Sequence, residues 1–97
     1  MFRHIFIGTF KPDVDDANKS AELDILRAIK ENVSGIVDLQ VGLSTGWIGS
    51  ENSVVMTIDF ATKADFDAFI AHPYHTGVVA GKGAEYFSGY VAAQFEL

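Results

Sequence analysis

Ile36-Val37-Asp38-Leu39-Gln40-Val41-Gly42-Leu43, followed after a short connection by Ser53-Val54-Val55-Met56-Thr57-Ile58-Asp59-Phe60, is the stretch that decides the fold. In the first run Val37, Leu39, Val41 and Leu43 fall on one face and Asp38, Gln40 and Gly42 on the other, the period-two pattern of a strand. The second run is β-branched and alternates in the same way. Between them Gly46, Gly49, Ser50, Glu51 and Asn52 surround Trp47 and Ile48 in a turn-forming connection. Two such strands in succession predict a long hairpin at the centre of the chain.

What flanks the hairpin fixes the topology. Upstream, residues 2–10 are rich in Ile and Phe and stop at Lys11-Pro12-Asp13, as a strand would. Asp15 or Asp16 can then cap a helix whose apolar positions Ala21, Ile25, Leu26, Ile29 and Val33 recur at intervals of three and four, until Ser34-Gly35 ends it. Downstream, Thr62 and Asp65 have capping spacing, and Phe66, Phe69 and Ile70 form a core-facing stripe that runs to His72-Pro73. Val78, Val79 and Ala84 predict a further short helix, weakened by Gly77, Gly81 and Gly83, before residues 87–95 close the chain as a last strand. The order is β-α-β-β-α-β. It specifies a single α+β domain over residues 1–97, a ferredoxin-like four-stranded antiparallel sheet with its helices on one face.

This plan leaves a burial problem. Ile5 and Ile7 make one face of the first strand apolar, while Phe6 and Phe10 make the other apolar too. The third strand sets Val55 opposite Val54, Met56, Ile58 and Phe60. Helices cover only one side of the sheet, so the other needs a lid. At about 25 cal/mol per Å2 of apolar surface, covering several aliphatic side chains is favourable by several kcal/mol before the entropy of association. A homodimer packed sheet against sheet meets that need.

Composition narrows the function classes. The 97 residues are 48% hydrophobic, which predicts a folded domain with one core. A net charge of −6, with the basic residues scattered, argues against nucleic acid as a partner. No apolar run reaches membrane-spanning length, so no membrane association is expected. With no cysteine and no secretory pattern at Met1-Phe2-Arg3-His4-Ile5, a cytoplasmic location is expected. The glycines at 77, 81, 83 and 89 match no phosphate loop or dinucleotide fingerprint, and thiol chemistry is excluded.

His72-Pro73-Tyr74-His75 concentrates what chemistry the chain offers. Imidazole exchanges protons near neutral pH, and Pro73 must break the helix and redirect the side chains around it. A structural reading stands beside this one, with His72 capping the last helical turn and His75 lining a half-buried groove. Asp38 and Asp59 are the nearest carboxylates able to orient an imidazole, although strand positions of this kind are usually solvated. Trp47 is expected to pack at a subunit interface rather than clamp a flat ligand.

The ordered set Arg3-His4-Ile5-Phe6-Ile7 with Phe10-Lys11-Pro12, Val33-Ser34-Gly35-Ile36 leading to Val41-Gly42, and Ala71-His72-Pro73-Tyr74-His75 with Val78-Val79 resembles the stress-responsive α/β-barrel (Dabb) domain nearly end to end. The resemblance implies a dimeric α/β barrel with a pocket between sheet and helices in each subunit. It also implies that His4 faces that pocket. His4, His72 and His75 could then approach one another, but their spacing is no metal-ligand signature, and neither metal nor cofactor is expected. Members similar to plant polyketide cyclases pair a histidine with a tyrosine; by motif the histidine falls on His75, whereas the tyrosine position holds Phe69. Phenylalanine cannot donate a proton, which leaves Tyr74, Tyr86 and Tyr90 as alternative hydroxyls.

Two functions follow as expectations. The first is a homodimeric small-ligand-binding domain. The second is a cofactor-independent enzyme, polyketide cyclase-like or a lyase, acting on a small apolar carbonyl compound with His75 as general base and His72 or His4 assisting. His4, Phe6, Phe69 and Tyr74 are the expected ligand contacts, and an apolar cavity is expected to join a histidine of the tetrapeptide to Phe6 or Phe69.

Overall fold

A computed structural model describes residues 1–97. Strand β1 (Phe2–Phe10) leads into α1 (Asp16–Arg27) and a short α2 (Ile29–Asn32), then β2 (Ile36–Leu43), β3 (Ser53–Phe60) and α3 (Lys63–Ala71). A π-helical segment (Tyr74–Val79), α4 (Ala80–Tyr86) and β4 (Phe87–Glu96) complete the chain. The strands form one sheet in the order β2-β3-β1-β4, every neighbouring pair antiparallel. This is the ferredoxin-like arrangement.

Register decides what each face carries. His4 lies between Ile58 and Gln94, Phe6 between Met56 and Ala92, and Gly8 between Val54 and Tyr90. With Phe10 and Phe60 these residues face the helices, and Phe10, Val54, Met56, Ile58 and Phe60 join Leu26, Ile29, Val33 and Phe69 in the core. On the opposite face Ile7 lies between Val55 and Val91, and Ile5 between Thr57 and Ala93. Arg3 on that face sits between Asp59 and Phe95.

Three local features depart from the sequence pattern. A register shift between Ile36 and Asp38 moves Val37 off the core face, leaving it 48% exposed, while Ile36, Leu39 and Val41 pack inward. The extra residue of a bulge breaks strict alternation, so Ile36 replaces Val37 on the core face while Leu39 and Val41 of the expected row keep their place on it. In α1, capped by the Asp15 carboxylate on the amide of Asn18, the buried line is Glu22 and Leu26, continued by Ile29 and Val33. Ala21 is exposed instead. Asp59 is not a solvated strand position: it is buried and receives two hydrogen bonds from the Arg3 guanidinium, at 2.8 and 2.9 Å, on the face away from the helices. That pairing holds its carboxyl below the ordinary carboxylate range.

The helix ends follow their residues. Gly35 turns the chain after α2 at φ 84°, and a Cβ there would lie 3.0 Å from an Asp65 side-chain oxygen. Thr62 Oγ1 accepts from the amide of Asp65 and starts α3. His72 is extended, as Pro73 requires of the residue before it, and α3 stops there. The chain resumes helical form at once, because the amides of His75 and Thr76 both donate to the His72 carbonyl.

Candidate functional site

A cavity of 550 Å3 lies between the sheet and the helical segment that follows Pro73. Its sheet side is made by His4 and Phe6 of β1 and by Phe87, Tyr90, Ala92 and Gln94 of β4. Phe66 and Ile70 of α3, His75 and Val79 of the π-helical segment, and Ala80, Gly83 and Ala84 of α4 close the other side. The small residues of α4 have a use here: they leave space where larger side chains would fill the cavity. Gly8 contributes from below, since a Cβ on it would come within 2.9 Å of the Phe6 and Phe87 rings. Phe6 lies against Phe87 at 5.7 Å and stacks on Tyr90 at 5.6 Å.

Two imidazoles border the cavity, with Ser88, Tyr90 and Gln94 as its other polar side chains. His4 is 6% exposed, and its ring centroid is 5.4 Å from that of Phe66 and 6.1 Å from that of Phe69. Its Nδ1 is 3.0 Å from the Gln94 side-chain nitrogen. Burial, and secondarily the nearby His75, holds the His4 pKa below the ordinary imidazole value. His75 sits 4.8 Å from the Phe69 ring, with Nδ1 3.0 Å from the Ile70 carbonyl oxygen. A carbonyl only accepts, so Nδ1–H donates, and the neutral ring keeps its lone pair on Nε2. No Lys, Arg, Asp or Glu lines the cavity. A second recess of 160 Å3 shares His4, Phe66 and Gln94 with it and is bordered by Phe2, Arg3, Phe60 and Lys63.

The cavity thus joins His75 to His4 and Phe6. The other residues singled out from the sequence stand behind it. Phe69 is buried at 1% exposure and supports both imidazoles. His72 points its chemistry at the backbone, Nδ1 accepting from the amide of Tyr74 at 3.0 Å, and it does not line the cavity. The Tyr74 hydroxyl donates to the Ile25 carbonyl at 2.6 Å and ties the π-helical segment to α1. Tyr86 donates to Asn18. Of the three tyrosines, only Tyr90 borders the cavity. No cluster of three or more potential ligands is placed to hold a metal ion.

Sequence reasoning missed Gln94. Its signal is the pairing of β4 with β1, which sets it directly opposite His4 and is not legible from either strand alone. Glu22 was missed as well. It is fully buried, both carboxylate oxygens lack a partner, and burial pushes its pKa up to about 7. Lys82 opposes that rise and Glu85 adds to it.

No curated protein matches the chain in sequence. Among solved structures, a dimeric ferredoxin-like protein of unknown function from Thermobifida fusca superposes with a TM-score of 0.86 at 20% identity, over 99% of this chain and 90% of that one. A Dabb family protein with a ferredoxin-like fold from Mesorhizobium loti gives 0.83 at 15% identity, over 99% and 95%. A hydroxynitrile lyase from Passiflora edulis gives 0.84 at 14%, over 99% and 92%. At these identities the likeness is one of fold. The stress-responsive A/B barrel domain family matches residues 2–97, and with the sheet order and the helix-to-sheet cavity already in place, the chain belongs to that family.

Proposed function

We propose that the protein is a homodimeric small-molecule-binding domain whose cavity receives an uncharged, largely apolar ligand with one polar group. The observation that carries this reading is the lining of the 550 Å3 cavity: aromatic and aliphatic walls, no fixed charge, and polarity confined to His4, His75, Gln94, Ser88 and Tyr90. That size and lining suit a small organic molecule rather than a phosphate or a free carboxylate, which would need a cation at the wall. His4, His75 and Phe6 contact the ligand, while Phe69, Tyr74 and His72 hold the segment that carries His75 in place.

The dimer follows from the other face of the sheet. Ile5, Ile7, Val55, Val91, Ala93 and Phe95 share it, with Val91 64% and Phe95 47% exposed. A second copy laid sheet against sheet covers this surface and supplies partners for Trp47 and Ile48, which stand 89% and 96% exposed at the hairpin tip. The Thermobifida fusca protein of the same fold is dimeric, which supports a homodimer here.

A second reading rests on one contact. The Ile70 carbonyl fixes the His75 ring with its basic nitrogen free, which is what a general base on a carbonyl compound requires. The hydroxynitrile lyase among the structural relatives shows that this fold can carry catalysis. Calorimetric titration of neutral aryl ketones against matched carboxylates tests the binding reading. Ketones should bind and carboxylates should not, and Ala92→Trp, which fills the cavity from its floor, should abolish binding. Undiminished binding in Ala92→Trp, or a preference for the carboxylates, would overturn it.

A further inference from the structure

We propose that Gln94 is a positioning residue: by donating to Nδ1 of His4 it fixes His4 as an Nε2–H donor, so the cavity offers a ligand a hydrogen-bond donor at His4 and an acceptor at His75. This deepens the binding reading above and rests on it for its functional meaning, although the tautomer itself does not.

The geometry behind the assignment is specific. Gln94 is opposite His4 in the β1–β4 register, and its side-chain nitrogen reaches Nδ1 at 3.0 Å. An amide N–H can only donate, so Nδ1 must offer its lone pair, and in a neutral ring the proton then resides on Nε2. The neutral form is the relevant one, because His4 is buried and lies near a second imidazole. Its Nε2 has no protein partner, yet the only sealed, unpartnered polar side-chain atoms in the molecule are the Glu22 oxygens. Nε2 is therefore accessible from the spaces that His4 lines. Phe66 and Phe69 pack against the ring and oppose a flip that would exchange its nitrogens.

His75 is held in the opposite sense. The Ile70 carbonyl takes its Nδ1–H, so His75 presents a lone pair where His4 presents a proton. Two identical side chains acquire opposite hydrogen-bonding roles from what stands behind them, and Gln94 determines one of the two.

The test is imidazole 15N spectroscopy of the ligand-free protein at about pH 8, where imidazoles are mostly neutral. In the wild type His4 should show a pyrrole-type resonance at Nε2 and a pyridine-type resonance at Nδ1. Gln94→Leu should remove the preference and give a mixture. Gln94→Glu, whose carboxylate accepts, should draw a proton to Nδ1. Gln94 is exposed, so both variants should fold, and unchanged His75 resonances will confirm it. An Nδ1–H tautomer in the wild type, or a His4 pattern identical in all three proteins, would overturn the assignment. If the tautomers behave as stated but no aryl ketone binds, the binding reading fails and the positioning role stands. Loss of ketone binding in Gln94→Leu with a wild-type tautomer would instead place Gln94 on the ligand and refute the positioning role.

Discussion

The His75 ring lies 4.8 Å from the ring of Phe69. In the proposed reading His75 meets the ligand and Phe69 supports its ring. His75 is half-buried with a free Nε2, whereas Phe69 is fully packed in the core. His75→Ala should abolish ketone binding, and any turnover, while lowering stability by about 1 kcal/mol or less. Phe69→Ala should cost about 3–5 kcal/mol through the cavity it leaves. Chemical denaturation of both variants checks this, and comparable losses would show that His75 is itself a structural residue.

Glu22 should make stability depend on pH. Its folded pKa of about 7 lies above the ordinary 4.5, so between those values the folded protein holds a proton that the unfolded chain has lost. Stability should therefore fall as pH rises through that window and level off above it, by roughly 3 kcal/mol in all. Lys82 and the Tyr74 hydroxyl, both raised from ordinary values already far above this window, do not titrate within it. Glu22→Gln should flatten the profile and be more stable than the wild type at pH 8, by denaturant titration across the window. An unchanged slope would mean that Glu22 is ionised in the folded protein and reached by water.

Most of the fold was legible because the signals were local. Thr62 caps α3, Pro73 stops it, richness in Ile and Phe marks β1, and β-branched alternation marks β3. What escaped depends on partners distant in sequence. Val37 left its row because of a bulge against β3, and Glu22 took a core position in α1 that a carboxylate would not be assigned from its chemistry. In the site, His4, Phe6 and His75 were legible, but Gln94 and Tyr90 enter only through the pairing of β4 with β1. The tetrapeptide drew both histidines toward the cavity, yet the extended backbone at His72 puts its ring on the Tyr74 amide while the next helical turn carries His75 to the wall.

Val55 should report on assembly. It pairs with Ile7 on the sheet face away from the helices, within the apolar surface proposed for the second copy. Val55→Asp should convert a dimer to a monomer at micromolar concentration, since a carboxylate buried there would be unpaired. Analytical ultracentrifugation decides it. A wild-type protein that sediments only as a monomer would remove the dimer from the proposal.

The most direct measurement of the central claim is a titration of the isotope-labelled protein with a series of neutral aryl ketones, observed at the histidine side chains. Saturable shifts at His4 and His75, with His72 unmoved, are the predicted result, because only the first two line the cavity. Shifts at His72 in their place, or no ketone that perturbs either cavity histidine, would contradict it.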